Sequence, residues 1–296
     1  MHAVDNPAAR HVGSIDGAGR DIRTDADGRV SVLAEASIEI AVGHDGTIVS
    51  VHATPNVPEV GSARGARLGA GFRRTIGDAL VATAGTPLGV LLGDLSGSPA
   101  GMRYGLVRRG EIESRRGAAM MGQGAFLGCA GHRAVLSVAA ASLAPLPMLD
   151  APLAPDLLSV GADEFHPTQP QAPGTGRRIR CIDCWLEDDS IVVGAFFRDT
   201  NRDPGGVDFV VHEYAMHAAI DRDDSRITTL RAEPHVLPFN TCVDASEHIG
   251  TLIGERITDV AIDIHSRVSG EISCTHLNDM VRFLADVPAM VGQLGG

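Results

Sequence analysis

From Ile38 the chain alternates apolar and polar residues as IEIAV, breaks at the polar turn GHDG, and alternates again as TIVSVHA. Period-two runs either side of a glycine- or aspartate-rich turn predict a β-hairpin with one buried face. The pattern returns later as MHAAI, DRDDS and RITTLRA, and upstream of it RRIRCIDCW and SIVVGAFFRD predict another strand pair around the turn LEDD. A fainter counterpart of that pair is GRDIRTDADGRVSVLAEA. A longer period follows the hairpins. Ala245–Arg256 and Thr258–Arg267 are candidate helices, and a third begins near Cys274 with Leu277, Met280, Val281 and Leu284 on one face. That i, i+3, i+4, i+7 spacing is the stripe of a helix packed on a core. Pro288 is expected to end or kink this helix.

The two hairpin regions align. AEASIEIAVGHDGTIVSVHATP from Ala34 runs against HEYAMHAAIDRDDSRITTLRAEP from His212, at an offset of 178 (213 − 35) at Glu35 and Glu213, and of 179 (234 − 55) at Pro55 and Pro234. LGAGFRRTIGD (68–78) parallels IGTLIGERITD (249–259), and SGSPAGMRYGLV (96–107) parallels SGEISCTHLNDMV (269–281). Where the later segment has Cys274, Thr275 and His276, the earlier one has Gly101, Met102 and Arg103. The expected fold is therefore α+β and internally duplicated, two pseudo-equivalent antiparallel-sheet-plus-helix halves packed together. Residues 1–142 would form a degenerate scaffold copy, closed by a helix near 131–143. Residues 143–176, rich in Pro and Ala, would be a linker, and 177–296 a second copy that keeps the chemistry.

Composition narrows the function. The 296 residues carry 25 basic and 37 acidic side chains, net −12, a field that repels nucleic acid and anionic membrane surfaces. The longest apolar stretches are broken by Gly, Pro or Asp, so no membrane span is expected. Five cysteines in no regular framework, and an opening MHAVDNPAAR without a basic-then-apolar leader, predict a reducing, cytoplasmic setting. No phosphate loop and no G-x-S-x-G elbow is present, which disfavours a nucleotide cofactor and a serine hydrolase. A small-molecule substrate without cofactor is the expectation, and a homo-oligomer stays open.

Candidate chemistry gathers in the second copy. Cys274 sits where a helix should start, where unpaired N–H groups and the helix dipole favour a thiolate; the alternative is a packed core cysteine. His276 lies two residues on, and Asn278 one turn after Cys274, placed to orient a ligand. His212 and Tyr214 share one face of a strand, a base and a hydroxyl donor, with Glu213 on the other. His212 and Tyr214 face Ala34 and Ala36 of the first copy, whereas Glu213 faces Glu35, the mark of a structural residue. Cys242 follows Pro238-Phe239-Asn240-Thr241 and stands as a further ligand-binding, redox or metal candidate, or as an unrelated thiol. Cys181-x-x-Cys184 lies in a strand-like run, where i and i+3 point to opposite faces, and is a weak motif.

Arg177-Arg178-Ile179, Asp199-Thr200, His212-Glu213-Tyr214 and Cys274-Thr275-His276-Leu277 together make the second half resemble the bacterial domain-of-unknown-function family 2889. Its members typically carry R-R-I, a later D-T, an H-D/E pair entering a strand, a cysteine after a proline, and a closing G-C-T-H-L; here Ser273 replaces the Gly. The resemblance runs roughly from Arg177 to Leu284. It implies that His212, Cys242, Cys274 and His276 are signature positions, and it carries no activity.

The readings rank as follows. First is a cofactor-independent enzyme with catalytic Cys274, His276, His212 and Tyr214, and with Cys242, Asn278 and Glu213 contacting substrate. It would act on a small, largely apolar organic acid, lactone or acyl compound, as an isomerase, lyase or hydrolase. Second is a zinc-like centre of His212, Cys242, Cys274 and His276. Third is a non-catalytic binding module. His212 and His276, absent together from the first copy, are expected to converge on one site.

Overall fold

The computed structural model describes residues 11–69, 71–98, 129–131, 149–154 and 171–294, which form two compact units. In the first, β1 (His11–Thr24), β2 (Val30–Gly43) and β3 (Ile48–Thr54) make an antiparallel sheet in the order β1-β2-β3. Ala36, Ile38 and Ile40 alternate into a core shared with Phe72, Ile76, Leu88 and Leu92. They belong to a run of three short helices, α1 (Phe72–Thr75), α2 (Gly77–Ala82) and α3 (Pro87–Asp94), with Ile76 at the junction of α1 and α2. α3 lies hard against β1 where β1 has glycine. A Cβ on Gly17 would stand 3.1 Å from the Leu91 side chain, and one on Gly19 3.2 Å from Pro87 Cβ. Thr86 caps α3, its hydroxyl accepting from the Gly89 N–H at 3.3 Å. Thr86→Ala is expected to cost about 1 kcal/mol, read as a shift in the urea midpoint.

The second unit is a four-stranded meander, β4 (Gly176–Glu187), β5 (Ser190–Arg202), β6 (Asp208–Asp221) and β7 (Ile227–Val236). β4 and β5 join through Asp188 and Asp189, and the acidic turn after β6 closes on itself, Asp221 Oδ1 accepting from the Asp223 and Asp224 N–H groups. The helical part follows as α4 (Val243–His248), α5 (Ile257–Arg267), α6 (Thr275–Arg282) and α7 (Val287–Gly292), linked by 3-10 turns. Leu277, Met280, Val281 and Leu284 are all buried against Phe197, Tyr214, Met216 and Ile220 of the sheet, so the apolar stripe packs as its spacing predicts. Pro288 does not break α6. It sits in the first turn of α7, where its missing N–H costs nothing.

The two sheets share register. In the first, Arg20 pairs with Glu35 and a bulge separates the pair Asp21 with Ala34 from Ile22 with Val32. In the second, Arg198 pairs with Glu213 and a bulge separates Asp199 with His212 from Thr200 with Val210, each position shifted by 178 (198 − 20, 199 − 21). A second bulge, between Ala41 and Val42 in β2, recurs between Ala219 and Ile220 in β6 (219 − 41 = 178). Two corrections follow. The stretch expected to mirror β4 and β5 forms β1 and β2, whose register is that of β5 and β6; β4 has no counterpart among the described residues of the first unit. Secondly, residues expected in the first half and the linker belong to the second unit. Ala130 donates to the Ser273 carbonyl at 2.7 Å, Val210 donates to the Pro152 carbonyl at 3.0 Å, and Leu153 bridges Phe209. The expected helix at 131–143, and Gly101, Met102 and Arg103, lie outside the described residues apart from Gly131.

Among the described residues no helix is long and apolar enough to cross a membrane.

Candidate active site

Cross-strand pairing builds the site. Arg178 of β4 stands opposite Asp199 of β5, and Asp199 opposite His212 of β6. Two residues along, Arg180 faces Phe197, and Phe197 faces Tyr214. Directly opposed residues point to one face, so this face presents two arginines, Phe197, Asp199, His212 and Tyr214. The opposite face takes Arg198 and Glu213. α6 then lays Cys274 and His276 over the first of these faces.

Cys274 is the residue that caps α6 at its N-terminus, in extended conformation with φ −134° and ψ 126°, and its carbonyl accepts from the Asn278 N–H at 2.8 Å. Its sulfur is surrounded. The Tyr214 hydroxyl donates to it at 3.6 Å, His276 Nδ1 is 3.8 Å away, and the backbone N–H groups of Leu277 and His276 point at it. On the far side of the ring, His276 Nε2 lies 3.5 Å from Asp199 Oδ2. Asp199 is held in turn by the Arg178 fork, Nε to Oδ1 at 2.9 Å and NH2 to Oδ2 at 2.9 Å. The result is a chain from Arg178 through Asp199 and His276 to Cys274. His212 lies over His276, with ring centroids 4.0 Å apart and planes inclined by 33°. The expected convergence of the two imidazoles is what the structure places there.

Burial sets the charge states. It pulls His212 down to about 4, with Asp199 opposing and Arg178 assisting. It also pulls His276 well below the ordinary imidazole value, with His212, Arg178 and Arg180 adding to it. Both rings are therefore neutral at pH 7. Burial pushes the Cys274 thiol up, and the N–H groups and hydroxyl aimed at the sulfur only partly offset that. The expected resting thiolate is thus corrected to a neutral thiol beside a neutral imidazole, because desolvation outweighs the helix terminus. Tyr214 is likewise held as the neutral phenol by burial.

A small cavity opens on this group, lined by Cys129, Gly131, His212, Cys242, Cys274, Thr275 and His276. Cys242 ends the 3-10 turn Asn240–Cys242, and burial pushes its thiol up, with Cys274 and Cys129 next in effect. Gly131 is needed there, since a Cβ would come within 3.0 Å of Cys242 Sγ and 3.2 Å of the Phe239 ring.

The other two expected ligand contacts have structural ties instead. Glu213 is salt-bridged to Arg198, and its Oε1 is 3.0 Å from His235 Nδ1, on the face away from His212. Asn278 Nδ2 donates to the Val268 carbonyl at 3.2 Å, tying α6 to the end of α5. Cys181 points at Asp183 at 3.6 Å, while Cys184, pushed up to about 11 chiefly by burial, belongs to the core margin. Sequence reasoning named no role for Asp199, Arg178 or Cys129. The first two had a usable signal, an acid and a base set in strand runs whose tight turn makes them cross-strand partners.

Residues 175–290 match the family model described as "Protein of unknown function (DUF2889)", so the resemblance holds over the second unit's sheet and helices, about two fifths of the chain. No curated protein and no solved structure matches.

Proposed function

We propose that the second unit is a thiol-dependent, cofactor-independent enzyme, acting as a hydrolase or acyl transferase on a small acyl compound or lactone. The observation that carries this reading is the sequence of contacts Asp199, His276, Cys274, at 3.5 Å and 3.8 Å, in a buried cavity wall. An acid that fixes a ring, a ring that takes a proton, and a nucleophile at the ring's other nitrogen are the parts of an activated nucleophile. Contacts of this kind are long before substrate binds and tighten in the reacting complex.

In the proposed step Cys274 Sγ attacks the acyl carbon while His276 Nδ1 takes the thiol proton. Asp199 stabilises the imidazolium through Nε2–H, and Arg178 keeps Asp199 in place. The carbon to leaving-group bond breaks as His276 returns the proton to the leaving atom. Water then cleaves the thioester with His276 as base, releasing the acid and restoring the thiol. The Tyr214 hydroxyl and the two backbone N–H groups support negative charge as it develops on sulfur. His212 and Cys242 line the cavity and shape what enters. Nucleophilic chemistry is preferred to an isomerase or lyase because the contacts from Asp199 end on a sulfur rather than on a second base. On this reading the first sheet is a copy whose site face holds Ala34 and Ala36 in place of His212 and Tyr214.

A panel of small thioesters and lactones, with adduct mapping by mass spectrometry, tests it. The expected result is an acyl adduct on Cys274, with turnover falling at least a thousandfold in Cys274→Ala. The alkylation rate of Cys274 should climb with its limb above the ordinary thiol value near 9.0, without a plateau near neutrality. Wild-type turnover in Cys274→Ala, with the acyl group found elsewhere, would sink the proposal.

A further inference from the structure

We infer that Asp199, His212 and His276 form a binding site for one divalent transition cation, and that its occupancy silences Cys274. The silencing half rests on the thiol reading above; the binding half does not. One ligand atom from each of the three residues lies within 4.8 Å of the others, and all three residues are buried. Tetrahedral zinc with nitrogen and oxygen ligands near 2.0–2.2 Å holds them about 3.4 Å apart. The Asp199 to His276 separation of 3.5 Å already meets this, and the remaining ligand atoms, within 4.8 Å, need close by at most about 1.4 Å. His276 Nε2 is buried and makes no hydrogen bond among the described residues, though an acceptor or cation is what such an atom requires.

Asp199 remains a competent ligand despite Arg178. Each carboxylate oxygen has two acceptor positions, and the guanidinium takes one on each. Two imidazoles and a carboxylate select Zn²⁺, Co²⁺ or Fe²⁺ over Mg²⁺ or Ca²⁺, which want oxygen alone. Both imidazoles line the cavity, giving a cation its approach.

The ligand set differs from the Cys/His set that the sequence suggests. Cys274 faces the opposite ring nitrogen of His276, Nδ1, from the one beside Asp199. This is where binding and chemistry collide. A neutral imidazole has one N–H and one lone pair. If a cation takes the Nε2 lone pair, the ring proton moves to Nδ1. Nδ1 then donates toward the sulfur and can no longer accept the thiol proton. No proton is gained or lost; the ring changes tautomer and ceases to be a base.

Zinc titration of chelator-treated protein, with X-ray absorption of the complex, reads this directly. The expected outcome is one Zn²⁺ per chain, with nitrogen and oxygen at about 2.0–2.1 Å and no sulfur near 2.3 Å. Affinity should be retained in Cys274→Ser and fall at least a hundredfold in His212→Gln. Zinc should also lower wild-type turnover of a small thioester at least tenfold, because the ring can no longer take the thiol proton. Sulfur in the first shell, or affinity lost in Cys274→Ser, overturns the ligand set without any need for a folded His212 variant. Zinc bound as described with turnover unchanged overturns the silencing. Failure of the thiol reading shows separately, as metal-free turnover that survives Cys274→Ala.

Discussion

Asp199→Ala is expected to lower the unfolding free energy by about 3–5 kcal/mol, the usual cost of removing one partner of a buried ion pair. The side chains of Arg178 and Asp199 are 12% and 5% exposed, and the carboxylate takes two guanidinium N–H groups at 2.9 Å each. Without it, Arg178 keeps its place over the Phe197 ring, 4.8 Å from the centroid, but its charge loses the anion beside it. Replacing both, as Arg178→Met with Asp199→Leu, should recover most of the loss, since the penalty arises from the unmatched charge and not from the missing pair. Urea unfolding of the two variants decides it. Equal midpoints for wild type and Asp199→Ala would mean that the pair is far wetter than its burial indicates.

A second large effect is expected from acid. His212 is held down to about 4 and His276 well below the ordinary 6.5, both chiefly by burial. Each ring binds its proton more readily in the unfolded chain. Their contribution is therefore complete above pH 6.5 and drains away as pH falls through the folded values. For His212 alone the span from 6.5 to about 4 is worth about 3 kcal/mol, and His276 adds in the same direction. Asp199 works against this, favouring the charged ring, while Arg178 and Arg180 work with it. Urea midpoints should fall between pH 7 and 4.5, and the fall should be shallower in His212→Gln. A flat profile over that window would show that water reaches the two rings.

Much of the second unit is legible in the sequence because each of its elements repeats its own period. The alternation in SIVVGAFFRD and MHAAI gives β5 and β6, and the stripe from Leu277 to Leu284 gives α6 and the face it buries. His212 and His276 are found by a different signal, their joint absence from the aligned first half, and they do meet. Asp199 and Arg178 stand in the sequence only as motif residues without a role, although hairpin arithmetic pairs them. Glu187 pairs with Ser190, so partners in β4 and β5 sum to 377, as do 178 and 199. Glu213 shows the opposite lesson. Its match to Glu35 marks the cross-strand arginine pair that both sheets keep, Arg20 with Glu35 and Arg198 with Glu213. The state of Cys274 was beyond sequence for a physical reason. A helix terminus can be read locally, whereas the desolvation that outweighs it comes from a core whose residues are scattered from Ala130 to Val287. The placement of residues 129–131 and 149–154 has no periodic signal at all; it includes a few backbone hydrogen bonds to β6, to Pro238 and to the residue before Cys274.

The glycines under α3 leave the first sheet no room for the side chains of the second. By register, Gly19, Ala34 and Ala36 stand where the second sheet has Phe197, His212 and Tyr214. An engineer wanting a second reactive centre would start by grafting those three side chains. The phenyl ring would have nowhere to go, because Pro87 and Leu91 already occupy the space above Gly19. Such a graft would have to lift α3 before it could place the ring.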